Sequence, residues 1–338
     1  MAKLCYEENY FSFLKMKYSS ILSPVNEESD SFVCESIDEI SKQELENYKK
    51  YLKSKLTDID YETYIKQFWV GLLEGDGTIT VSCPGPNHIK VRMVISIKNL
   101  RENVIMLLLI QEVLYGTVKI KRKAQYVTWI AIKKDLIQSL IEVLKKYPLL
   151  TTRKQCQLKF ATKCIKNGTK DFVVENRDFM YKDQENMLNF NKENFVIPNY
   201  FPAWLSGFIE GEGNFPPPRF IADKRRNMRI SGKFNIGQNF EHFIIQGIKD
   251  YFKGDVKIQI IISKKEFSKK RKLLGEVKHY YLEMGSKNVK NAIFSHFSGG
   301  GSPMGPRWSP PPPTAFSPFR RQRKGEKGYS GQGGGGGD

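Results

Sequence analysis

Two nine-residue segments of the 338-residue chain hold the residue types best suited to chemistry. They are Trp69-Val70-Gly71-Leu72-Leu73-Glu74-Gly75-Asp76-Gly77 and Leu205-Ser206-Gly207-Phe208-Ile209-Glu210-Gly211-Glu212-Gly213, a constant 136 positions apart. In each, one acid, Asp76 or Glu212, stands just before the last glycine. Each segment closes an apolar helical run. The two carboxylates therefore fall at helix C-termini, where the macrodipole is negative and the last carbonyls lack partners, a placement that costs a few tenths to about 1 kcal/mol. A divalent cation removes the conflict, because carboxylate and carbonyl oxygens together suit Mg2+ or Mn2+. Two such acids side by side would serve a metal-assisted phosphodiester hydrolysis. Either segment alone also reads as an ordinary helix end with a solvated acid; the matched pair favours the metal. Glu74 and Glu210, two positions earlier, are read as solvated or capping residues rather than ligands.

The glycines say how the acids are positioned. Gly71 with Gly75, and Gly207 with Gly211, lie four apart on one helical face, so two such helices can pack with their backbones nearly touching. Gly77 and Gly213 stand where a left-handed C-cap is expected. Around these helices the sequence repeats itself. From residue 61 the pattern predicts a helix over 62–74, strands over 79–82 and 90–98, and a helix over 102–114. Strands over 117–122 and 126–132 and a helix over 134–147, stopped by Pro148, complete an αββαββα unit. A further amphipathic helix is expected over 152–165. The order then restarts, with helices over 203–212, 243–252 and 287–297 and strands over 229–237, 256–263 and 278–284. The chain thus divides into a loosely structured extension (1–60, with a helical stretch over 42–56), a first repeat (61–166), a linker (167–202), a second repeat (203–297) and a Gly/Pro/Arg-rich tail (298–338) that cannot build a core.

The charge points to the partner. Lys and Arg number 54 against 36 Asp and Glu, a formal net charge of +18, which attracts a polyanion. Residues 1–50 run the other way, with ten acidic against six basic, so the excess lies in the repeats. The basic residues fall in strand-like segments, not on an amphipathic helix, which argues against a membrane surface. In Arg229-Ile230-Ser231-Gly232-Lys233-Phe234-Asn235-Ile236 polar and apolar residues alternate, giving one face for a polyanion and one for the core. Lys90, Arg92 and Lys98 repeat the pattern, as do Lys119, Lys121 and Lys123, and Lys257 and Gln259. Such side chains bind phosphates and, where Arg or Gln reaches a base edge, read sequence. For one strand alone a solvated sheet face is the simpler account; four with the same bias favour DNA. The five cysteines are scattered without a C-x-x-C pair, so reduced thiols are expected and neither a zinc site nor a disulfide framework. No apolar run is long enough to span a bilayer and no signal-peptide pattern opens the chain, so a soluble intracellular protein is expected.

The two motifs resemble those of the LAGLIDADG homing endonucleases, in particular the single-chain, two-repeat type encoded in organelle introns, over about residues 61–297. The resemblance implies an α+β fold of tandem pseudo-symmetric αββαββα repeats, with two antiparallel saddle-shaped sheets joined at a two-helix interface. It implies a monomer that lays its sheets in the major groove of a long asymmetric double-stranded DNA target and makes a staggered cut across the minor groove. The family's metal-binding acids fall on Asp76 and Glu212. Supporting roles fall on the polar residue ending the second strand, Asn99 and Gln238, and on the basic residue after the Tyr-Pro-Leu segment, Arg153, with Lys154 the neighbouring candidate. An organellar location, mitochondrion or chloroplast, is implied as well. Three departures stand out. Pro216-Pro217-Pro218 break an expected strand. The second repeat stops at Phe297, before any counterpart of Arg153. Trp69 and Glu74 differ from the commonest motif residues. Two further readings follow: a maturase that binds its own intron RNA without cutting, and an inactive relic.

Overall fold

The computed structural model describes residues 34–56, 59–215, 219–222, 228–231, 233–263, 277–285, 291–293 and 296. The tail over 298–338, Pro216-Pro217-Pro218 and most of the helix expected over 287–297 lie outside them. The order is α1 (Lys42–Lys55), α2 (Tyr61–Gly75), β1 (Gly77–Gly85), β2 (His88–Lys98), α3 (Arg101–Leu114), β3 (Thr117–Lys121), β4 (Tyr126–Ala131), α4 (Lys134–Lys146) and α5 (Thr152–Asn167). Then follow α6 (Lys170–Arg177), α7 (Gln184–Asn194), α8 (Phe201–Glu212), β5 (Arg219–Ala222), β6 (Met228–Ser231), β7 (Phe234–Asn239), α9 (His242–Tyr251), β8 (Gln259–Ser263) and β9 (Val277–Met284). This is the expected α+β architecture with antiparallel sheets.

Helices α2 and α8 form the centre. Asp60 caps α2 by accepting from the Thr63 amide, and Pro202 stands in the first turn of α8, where a missing N–H costs nothing. Their glycines let the backbones meet: a Cβ on Gly71 would lie 1.8 Å from the Trp204 carbonyl oxygen, and one on Gly207 would lie 2.0 Å from that of Phe68. The surrounding Trp69, Leu72, Leu73, Leu205 and Phe208 are fully buried. The expectation of left-handed caps at Gly77 and Gly213 is corrected. Neither has positive φ, and Gly213 sits at φ −72°. Glycine is needed there for space, since a Cβ would fall 2.5 Å from Leu73 O and 2.6 Å from Ile209 O respectively.

The first repeat builds one four-stranded sheet, β1-β2-β4-β3. Along β2 burial alternates, with Val91, Met93, Ile95 and Ile97 inward and Arg92, Ser96 and Lys98 exposed. The second repeat differs. The single strand expected over 229–237 is two strands in two sheets, β6 paired with β5 and β7 in a sheet of order β7-β9-β8. The ends of the first repeat are also more ordered than expected. Within the extension, Cys34, Ile40 and Leu52 are buried, and α1 is tied to α3 by Arg101 to Glu44, a two-nitrogen contact at 3.0 and 2.6 Å, and by Lys49 to Glu112. The linker forms α6 and α7, held to α5 by Gln157 to the Tyr181 hydroxyl and by Gln184 to the Thr152 hydroxyl. Among the described residues no helix is long and apolar enough to cross a membrane.

Candidate active site

The close helix crossing ends at the two acids. The Asp76 amide caps α2 by donating to Leu72 O at 3.0 Å. A Cβ on Gly75 would lie 3.0 Å from the Gly211 Cα and 3.6 Å from the Glu212 Cγ, and one on Gly211 would lie 2.9 Å from the Asp76 nitrogen. Asp76 and Glu212 thus leave adjacent helix ends side by side. Lys154, 2% exposed, enters from α5 and donates from Nζ to the Gly77 carbonyl oxygen. Burial lowers its pKa to about 8, repulsion from Arg153 adds to the drop, and Glu74, Glu212 and Asp76 oppose it. A narrow cavity here is lined by Glu74, Arg153, Lys154, Glu212, Gln238 and Glu241 among others.

The start of α5 is held by two buried carboxylates. Glu74 accepts from the amides of Leu150 at 2.8 Å and Thr151 at 2.6 Å, and from the indole of Trp204 across the helix pair at 2.9 Å. Glu241, on the second repeat, accepts at one oxygen from the Thr152 amide at 2.9 Å, the Thr152 hydroxyl at 2.7 Å and the Arg153 amide at 3.4 Å. Desolvation raises both carboxyls above the usual range, Glu241 to about 8. The expectation that Glu74 is solvated is overturned, since it is 3% exposed; the capping half of that reading holds. Glu241 went unnoticed in the sequence because nothing local marks an acid that will cap a helix 89 positions away.

The other expected residues separate. Arg153 and Gln238 line the cavity. Asn99 does not: it is 1% exposed, and its amide nitrogen donates to Cys34 O at 2.5 Å and Ala124 O at 2.8 Å, tying the extension to a turn. Nor is it the partner of Gln238. Thr78 pairs with Val94 in the first repeat and Asn214 with Asn235 in the second, which sets Asn99 equivalent to Phe240 and Gln238 to Ile97. The backbone agrees, since the Asn99 amide donates to Gln125 O and the Phe240 amide to Lys278 O.

Of the expected DNA contacts, Arg92, Lys98, Lys119, Lys121, Lys123, Lys233, Lys257 and Gln259 are exposed and Lys90 is half-buried. Lys233 is paired with Glu283. Asn235 is corrected: it is 8% exposed and bridged through its backbone to Asn214, so it lies in the interior of its sheet. The side chain of Arg229 lies outside the described residues. Strand register makes Gln259 and Ile261 the counterparts of Lys119 and Lys121. Ile260, Ile261 and Ile262 are all more than half exposed, an apolar stretch where the first repeat has Ile120 and Lys121.

The donor set fits a divalent metal of the Mg2+ kind. Two carboxylates meet beside helix-end carbonyls, and the ammonium of Lys154 already sits in the negative potential they create. Ions of this kind take one or two carboxylates and complete their shell with water and substrate phosphate.

Comparison with known proteins gives the family. The family model described as LAGLIDADG endonuclease matches residues 69–164. A protein of Dictyostelium citrinum named probable intron-encoded endonuclease aI3 is 31% identical over 256 residues, covering 73% of this chain and 98% of that one. The chain belongs to the LAGLIDADG endonuclease family. A protein of the same name from Debaryomyces hansenii is 33% identical over 238 residues, 61% of this chain, and the chain spans about a third (33%) of that relative's length. Among solved structures, the LAGLIDADG meganuclease I-CpaMI bound to uncleaved DNA is 19% identical with a TM-score of 0.48, covering 69% of this chain and 84% of that one. Within this LAGLIDADG chain the matched stretch runs from the first motif to α5, which is the first repeat.

Proposed function

We propose that the chain is a site-specific endonuclease that makes a double-strand break in a long asymmetric DNA target and so promotes homing of its own intron. The observation that carries this reading is the juxtaposition of Asp76 and Glu212 where α2 and α8 touch, with a nearly buried lysine beside them. Asp76 and Glu212 would hold Mg2+ or Mn2+, which when bound polarises the scissile phosphate and stabilises charge developing on its oxygens. The protein supplies the rest. Lys154, with a pKa of about 8, is mostly protonated near neutrality and can donate a hydrogen bond or a proton to a phosphate oxygen. Arg153, exposed at the mouth, offsets phosphate charge, and Gln238 can orient a water through its amide. Asn99 takes no part, because its amide is committed to two backbone carbonyls. The exposed lysines and arginine of β2, β3 and the β3–β4 turn would grip the DNA backbone and set register.

The protein acts as a monomer in this reading, since both acids come from one chain, and in an organelle, in keeping with its intron-encoded relatives. The test is incubation with a duplex spanning the intron insertion site and Mg2+. A discrete double-strand break is expected, and its absence under conditions where the duplex is bound would sink the reading. A maturase function, binding the intron RNA, is favoured by one observation: the apolar Ile260-Ile261-Ile262 stretch weakens the second half as a reader of DNA. Affinities for intron RNA and target DNA, each measured over a range of salt, separate the two.

A further inference from the structure

Four consecutive backbone amides, Leu150 to Arg153, donate to just two buried carboxylates, and the residue that follows them is Lys154. Glu74 comes from the motif helix of the first repeat. Glu241 comes from the second repeat, as the residue preceding α9. Its position in the first repeat, which likewise precedes α3, is Leu100, so this acid is not part of the duplicated pattern. A carboxyl oxygen at the N-terminus of α5 satisfies amides that have no partner within the helix. Glu241 is 2% exposed, and desolvating a carboxylate is costly, which an acid serving only as a local cap could avoid at the surface.

The geometry of the cap explains the burial. Glu241 fixes the height and rotation of the first turn of α5, and Lys154 leaves that turn to reach the Gly77 carbonyl next to Asp76. We infer that Glu241 is a positioning residue, through which the second repeat holds Lys154 of the first repeat against the two acids. The inference rests on the nuclease reading of that site. All three hydrogen bonds reach one oxygen of Glu241, and the other has no hydrogen-bond partner among the described residues. A glutamine keeps the bonding oxygen; a leucine, the residue at the matching place in the first repeat, removes it.

The experiment compares Glu241→Leu, Glu241→Gln, Lys154→Met and the double variant Glu241→Leu with Lys154→Met, in the full chain. Single-turnover cleavage of the insertion-site duplex, duplex affinity, and amide hydrogen exchange at Thr152 and Arg153 are measured. Glu241→Leu is expected to slow cleavage roughly 10–100-fold, with affinity within about twofold. Glu241→Gln should stay within about threefold of the parent. In the Lys154→Met background, Glu241→Leu should cost almost nothing further, because both changes remove one function. The inference is overturned if Glu241→Leu cuts like the parent, if its loss is undiminished in the Lys154→Met background, or if leucine and glutamine are equally damaging. Should the leucine variant not fold, Glu241→Ser replaces it. If the parent binds the duplex but does not cut, the nuclease reading fails by itself. Exchange then decides the placement: faster exchange at both amides in Glu241→Leu but not in Glu241→Gln supports it, and unchanged exchange overturns it.

Discussion

The two repeats start from the same motif and arrive at different halves. The first has a continuous four-stranded sheet, exposed lysines along β3, and α5 carrying Lys154 back to the helix pair. The second contributes an equivalent acid and an equivalent helix, but its strands fall into two sheets and β8 carries Gln259 and Ile261 in place of Lys119 and Lys121. What the halves share is the part that must touch: glycines, apolar helix face and terminal acid. Much of what differs lies on the exposed faces of the sheets. Packing constrains both members of an interface together, whereas each outer sheet face can change without the other.

That contrast can be broken or sharpened by experiment. Asp76→Asn and Glu212→Gln should each lower cleavage by about 10³-fold or more with affinity largely kept, as the proposed metal-holding role of both acids requires. A large remaining activity in only one of them would show that the acids are unequal. Lys154→Met should slow cleavage about 10²-fold and Arg153→Ala less, read in single-turnover assays. Gly71→Ala and Gly207→Ala should destabilise alike, by about 3 kcal/mol or more in urea unfolding, because each methyl group would meet a carbonyl oxygen of the other helix. Lys119→Ala and Lys121→Ala should each weaken DNA binding and reduce the salt slope by about one, while Ile261→Ala leaves that slope unchanged. The smallest effect is a pH dependence in the second repeat. His296 lies between the Ser206 and Tyr251 hydroxyls, and burial lowers its pKa to about 3. Below about pH 6.5 the unfolded chain gains a proton that the folded chain refuses, so its contribution is present above that pH and is lost progressively toward pH 3. Thermal unfolding of the parent relative to His296→Gln, followed from pH 7 to pH 4, should show that decline, since the raised carboxyls of Glu74 and Glu241 act in the opposite sense equally in both.

Much of this was legible in the residues. The αββαββα order of the first repeat follows from period, which depends on residues close in sequence, and the helix pair and side-by-side acids follow from the glycine spacing of one motif repeated 136 positions later. Arg153 was favoured over Lys154 from its place after Tyr147-Pro148-Leu149. The structure buries the neighbour instead, since one residue along a helix is a turn of about 100°. Asn99 and Gln238 were paired by counting from strand ends, and the true register is set by hydrogen bonds that composition does not display. The split of the strand over 229–237 and the inward turn of Asn235 have the same origin. Glu241 needed knowledge of which loop from the other repeat would arrive beneath it.

The exchange of carboxylates between halves limits how the molecule can be rebuilt. Glu74 of the first half bonds to Trp204 of the second, and Glu241 of the second half bonds to the backbone entering α5 of the first. The counterparts of Trp204 and Glu241 in the first half are Phe68 and Leu100. A designer who fused two copies of the first half to read a palindrome would keep an acid at each motif end, yet would strand Glu74 without its indole and leave Thr152 and Arg153 uncapped. Grafting tryptophan and glutamate into those two places would be the minimum repair for a symmetric enzyme.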